Sequence, residues 1–137
     1  MNRLMVGLLV CVLMLGSCAS IPKQLLSAGD LPSLKGRWEG TRDVSMGKQQ
    51  IQSYMEMEIY NDSLPLKGQV QVEMAYEKVL RSYPFENGMI NDKGNLFVRL
   101  ADDLALDLYY FPTEGKNKLY GHYNYKQAQG VVTLFKK

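Results

Sequence analysis

Few side chains in this sequence are of a type that does chemistry, and their spacing narrows the options further. His122 is the single histidine, so a histidine metal cluster cannot form. Asp107 faces it across a strand pair if Tyr110 pairs with Leu119, but such a solvent-facing Asp–His pair has no nucleophile to activate. Glu56 and Glu58 share a face, as the paired carboxylates of a glycosidase must. They alternate with Met55 and Met57, however, as ordinary solvent-facing residues do. No Gly-x-Ser-x-Gly elbow, phosphate loop or dinucleotide fingerprint occurs. The sequence therefore reads as a non-enzyme that calls for no metal and no cofactor.

Two arginines are more informative because they break a pattern. Arg42 shares its parity with Trp38, Val44 and Met46, and Arg81 shares its parity with Val79, Tyr83 and Phe85. In extended chain both would point inward, where an unpaired guanidinium is costly. Trp38, Arg42, Arg81 and Tyr83 are thus the candidate ligand-binding residues, with the arginines as donors to an anionic head group. The competing reading leaves each arginine near a barrel mouth, stacked on an aromatic ring or turned outward by a bulge.

The start of the chain carries a second kind of chemistry. Asn2 and Arg3 open a short cationic start, and residues 4–15 are apolar apart from Gly7. That block is far shorter than the ~20 residues of a membrane-spanning helix and has the form of an export signal. Leu15-Gly16-Ser17-Cys18 resembles the lipobox of bacterial lipoproteins. The resemblance implies cleavage before Cys18, acylation of its thiol and of the new amino group, and an anchor in the lipid bilayer. Ala19, where inner-membrane lipoproteins of the enteric type often carry Asp, implies outer-membrane delivery with the domain facing the periplasm. Residues 1–17 would then be signal, 18–35 lipidated tether and 36–137 the folded domain. Cys11 would leave with the signal, so the domain would hold no free thiol.

Removing residues 1–17 takes away one of 16 basic side chains and none of 14 acidic ones, leaving 15 against 14. A balanced chain of this kind is a poor nucleic-acid binder. From Gly36 onward the hydrophobic period is two, the signature of half-buried strands. Ile51, Ser53, Met55, Met57 and Ile59 alternate with polar residues, as do Leu66, Val70, Val72 and Met74. A tight turn over residues 61–64 predicts Ile59 opposite Leu66, Met55 opposite Val70 and Glu58 opposite Lys67. Asn87-Gly88 predicts a two-residue hairpin turn followed by a short strand at Met89-Ile90. Further strands follow at Leu96–Leu100, Leu104–Tyr110, Leu119–Tyr125 and Gly130–Phe135.

The expected fold class is all-β: an antiparallel meander of eight to nine strands closing into a small barrel or barrel-like sandwich, because closure removes exposed edges. Gly36-Arg37-Trp38 resembles the Gly-x-Trp start of the first strand in lipocalins and related calycins, which implies a tryptophan plugging one end of the barrel. The leading expectation for function is a lipid-anchored module that binds a small apolar or anionic molecule. The alternative is an envelope assembly protein with a filled core and a working outer surface. Tyr109, Phe111, Tyr120 and Phe135 are the candidates for such a partner surface: the register predicts Tyr109 opposite Tyr120 and Tyr120 opposite Phe135, all facing outward. The tether, with Ile21, Leu25, Leu26 and Leu31, is the expected cover for this cluster if no protein partner takes it.

Overall fold

A computed structural model describes residues 22–74, 77–112, 115–126 and 128–137. Cys18, the segment read as an export signal (residues 1–17) and Ile21 lie outside the described residues. Eight strands follow one another: β1 (Gly36–Met46), β2 (Gln49–Ile59), β3 (Leu66–Glu73), β4 (Leu80–Ile90), β5 (Leu96–Ala101), β6 (Leu104–Phe111), β7 (Lys118–Tyr125) and β8 (Ala128–Lys136). Each is antiparallel to the next, and β8 returns to β1, so the sheet is a closed barrel rather than a sandwich.

The period-two pattern is what closes it. Along β6, Leu104, Leu106, Leu108 and Tyr110 are buried while Ala105, Asp107, Tyr109 and Phe111 face outward. The same alternation in β2 and β3 sends Met55, Met57, Ile59, Val70 and Val72 inward. The apolar side chains fill the barrel itself and the charges stand outside, the reverse of a membrane-spanning barrel.

Three expected registers are corrected. Ile59 stands opposite Gly68, Met57 opposite Val70 and Met55 opposite Val72, so Glu58 faces Gln69 and not Lys67. The turn is longer than expected because the Asn61 amide organises it. Its Nδ2 donates to the Ser63 and Pro65 carbonyls, and its Oδ1 accepts from the Lys67 N–H. The slip is two residues, so the inward set is unchanged. Second, Asn87-Gly88 makes no hairpin: β4 continues through it to Ile90, with an irregular step against β3 between Phe85 and Gly88, which removes the expected short ninth strand. Asn87 instead uses its side chain as a substitute peptide, donating to the Arg99 carbonyl at 3.0 Å and accepting from the Arg99 N–H at 3.1 Å. Only Met89–Phe97 and Ile90–Leu96 pair directly between β4 and β5. Third, Tyr120 stands opposite Thr133, and Phe135 faces Lys118.

The tether also departs from expectation. Gln24 bridges to Tyr110, and the Leu26 N–H donates to the Gly94 carbonyl. The chain then makes a 3-10 turn (Ala28–Asp30) closed by a Ser27–Asp30 capping box, followed by one turn of helix, α1 (Leu31–Leu34). Leu26, Leu31 and Leu34 are buried with the barrel core. They plug the end where β1 begins instead of covering the outer aromatic cluster. Gly36, at φ +120°, supplies the left-handed turn that leads from this plug into β1.

Candidate functional site

The plug settles where Trp38 belongs. Its indole is fully buried, its Nε1 donates to the Leu34 carbonyl at 2.8 Å, and its ring meets Tyr110 edge-on at 6.5 Å. Trp38 therefore seals one end of the barrel and cannot contact a ligand at the other. The remaining inward candidates lie towards that other end, the mouth ringed by the β1–β2, β3–β4, β5–β6 and β7–β8 turns.

Arg42 points inward at the mouth, as its parity predicts. Its Nε donates to Ser53 Oγ at 3.3 Å, and Ser53 Oγ lies 3.5 Å from the Arg42 carbonyl. The guanidinium carbon is 5.1 Å from the centroid of the Tyr123 ring. Burial pulls the Arg42 pKa down from its ordinary value, opposed by Tyr123 and Tyr83. The same burial pushes the Tyr123 hydroxyl up. Among the described residues no carboxylate pairs with Arg42. Nε is committed to Ser53, which leaves the paired Nη groups as donors for one planar anion. Gly130 makes room for this arrangement: a Cβ there would fall 1.8 Å from the Tyr123 ring.

Arg81 shares the inward parity but sits at the rim. Its side chain is half exposed and reaches Glu77 at 3.6 Å. Tyr83, two residues deeper on β4, packs partly against the core. The structure thus brings Arg42 and Tyr83 to one end, leaves Arg81 on the rim and separates Trp38 from all three. Ser53 and Tyr123 complete the site. Ser53 was legible as the one hydroxyl in the inward row Ile51, Ser53, Met55; Tyr123 gave no signal beyond its inward parity.

The outer face carries its own arrangements. Tyr109 pairs with Tyr120, and Phe111 meets Tyr120 edge-on at 6.4 Å. Tyr109, Phe111 and Tyr120 are partly buried while Phe135 is exposed, and all four share the outward face. His122 stands opposite Asp107 as expected, but Asp107 Oδ1 accepts from Asn95 at 2.9 Å and Asn91 at 3.2 Å. That carboxylate fastens the β4–β5 turn. Glu56, near the plugged end, accepts from Arg37 and from the Tyr54 hydroxyl, each at 2.8 Å. Burial alone would raise the Glu56 carboxyl, but these hydrogen bonds outweigh it and hold the group below its ordinary value. Burial, with the bond to Glu56, pushes the Tyr54 hydroxyl up to about 12.

Comparison with protein-family models, curated proteins and solved structures finds no match for the chain.

Proposed function

We propose that this chain is a lipoprotein, acylated on Cys18 and held at the bacterial outer membrane facing the periplasm, whose barrel mouth binds a small molecule through an anionic group. The observation that carries the binding reading is Arg42: an inward guanidinium, half desolvated over Tyr123, with no carboxylate partner among the described residues. A guanidinium in that position gains most from a planar bidentate acceptor, a carboxylate or a phosphate. The filled interior limits the depth of the site, because Val98, Leu106 and Val132 are already buried within the barrel. The ligand is therefore one whose anionic group reaches Arg42 while its apolar body rests on the rim. Val79, Leu80 and Tyr125 are exposed there to receive it.

Native mass spectrometry of the purified chain from Ala19 onward tests the binding reading, with decanoate and decyl phosphate as probes. One bound molecule is expected on the parent chain and about tenfold weaker binding on Arg42→Met. Equal retention by both overturns the site. The anchor is tested separately by labelled palmitate, which should enter the parent chain and not Cys18→Ser.

A further inference from the structure

The corrected β7–β8 register has a consequence for the outer aromatic cluster. Lys118, not Tyr120, stands opposite Phe135, and it also stands opposite Phe111 on its other side. A lysine therefore occupies the centre of the aromatic face. Its Nζ lies 4.8 Å from the Phe111 ring and 5.7 Å from the Tyr120 ring. Lys116 Nζ is 5.4 Å from the Phe135 ring, and Lys23 Nζ is 4.3 Å from the Tyr109 ring. Every ring of the cluster thus carries an ammonium group over it. An adjoining groove of about 400 Å³ is lined by Gly115, Lys116, Asn117, Lys136 and Lys137. Among the described residues, Glu39 pairs with Arg37 and with Lys137 of this groove, and Asp107 accepts from Asn91 and Asn95, while Lys118 lies over its two rings.

We infer that this face, built on β6, β7 and β8, is the surface that the protein lays against an anionic phospholipid layer. The inference rests on the lipid-anchor reading for its geometry. Lys23 follows Cys18 by five residues, and five residues span at most about 18 Å whatever their path. An acyl chain on Cys18 would hold the Lys23 backbone within that distance of the anchor, and Lys23 Nζ lies over the Tyr109 ring at the edge of this face. The chemistry of the face fits the same occupant. Aromatic rings favour the headgroup level of a bilayer, lysines extend their ammonium groups to phosphates while their stems cover apolar surface, and each lysine near an anionic leaflet adds a similar increment of attraction. A protein partner fits less well. Protein interfaces bury an apolar centre within a polar rim and are depleted in lysine; here Lys118 is at the centre, and docking a protein would strip its water without supplying a layer of phosphates.

The test does not require the lipid. The closed barrel and its plug are built from residues within 22–137, so the chain from Ala19 onward carries both. That chain is sedimented at low ionic strength with vesicles of phosphatidylcholine, or of phosphatidylcholine mixed with phosphatidylglycerol. Binding to the mixed vesicles only is expected, falling about fivefold for Lys118→Gln and about as much again when Lys23→Gln is added. Lys48→Gln, in the β1–β2 turn at the mouth, makes the same change in net charge and should bind as the parent does. Failure of the parent chain to sediment with the mixed vesicles overturns the inference, as does equal weakening by Lys48→Gln, which would reduce the effect to net charge. Because no acyl group is present, these outcomes are independent of whether Cys18 takes up palmitate.

Discussion

At one end of the barrel Leu26, Leu31, Leu34 and Trp38 exclude water, and a cluster of ion pairs fastens the outside of the wall. At the other end Arg42 and Ser53 meet beneath a rim from which Val79, Leu80 and Tyr125 project into solvent. The comparison teaches a division of labour. The plugged end holds apolar area and well-made hydrogen bonds, and is where the fold keeps its stability. The mouth keeps Arg42, a cation with no carboxylate partner among the described residues, and such an arrangement contributes little to stability but leaves donors for something else.

The sharpest way to break this comparison is Trp38→Ala. The indole is fully buried, fills the junction between plug and barrel and satisfies the Leu34 carbonyl. Its removal should cost about 3–5 kcal/mol, read as a fall in the urea midpoint at constant slope. Arg42→Met, which replaces the cation by an apolar side chain of comparable length, should cost less than about 1 kcal/mol. If the two variants lose similar stability, the mouth is part of the structural core and the division fails.

A second test addresses the outside of the plugged end through pH. The Glu56 carboxyl is held below its ordinary value by the hydrogen bonds from Arg37 and Tyr54, against the effect of burial. A carboxylate depressed in the folded state stabilises the fold at pH above its unfolded value, about 4.3, and that contribution disappears as pH falls through the lower folded value. Glu56→Gln should therefore lower the melting temperature near neutral pH and bring the variant close to the parent in acid. A constant gap between the two curves across this window would show that Glu56 acts through packing alone.

How far the sequence could be read follows from which physical signals are local. Inward and outward faces depend only on alternation, so the burial of Met55, Met57, Leu106 and Leu108 and the inward position of Arg42 were all legible. Registers depend on turn geometry, and there two side-chain amides intervened. Asn61 lengthens the β2–β3 turn, and Asn87 stands in for a peptide group beside Arg99 where Asn-Gly otherwise signals a hairpin. The Asn61 slip moves pairing by two residues and keeps the faces, which is why the core of β2 and β3 survived it, whereas past Asn87 the irregular step in β4 turns Gly88 and Ile90 to the side of Phe85 and plain alternation fails there. The plug was hidden for a different reason. Two prolines and a glycine between residues 22 and 32 mark a linker by composition, while the burial of Leu26, Leu31 and Leu34 depends on a barrel end that only the closed fold creates. At the site, Ser53 faces Arg42 across the β1–β2 hairpin, but Tyr123 joins them from β7, far away in the chain, and no spacing rule connects it to Arg42.

The smallest expected effect belongs to Arg81, and it separates two residues that the sequence alone treats alike. Arg42 and Arg81 have the same parity on facing sides of the barrel, yet Arg81 stands one step past the enclosed part of its strand, with its side chain 53% exposed. Its 3.6 Å contact with Glu77, itself 61% exposed, is a solvated surface pair, of a kind that contributes ~0–1 kcal/mol and is weakened by salt. Arg81→Met should therefore leave the urea midpoint within experimental error of the parent. Its effect on an anionic probe depends on whether charge or geometry draws the ligand. A rim cation that merely raises the local concentration of anions loses its influence as salt is added, whereas the Nη pair of Arg42 acts at contact, where screening is weak. The Arg81→Met chain should thus bind decanoate about two- to threefold less tightly at low salt and equally well at physiological ionic strength, while Arg42→Met stays deficient in both. If Arg81→Met is as damaging as Arg42→Met at high salt, the two arginines hold the anion together, and the site extends from the barrel interior to its rim.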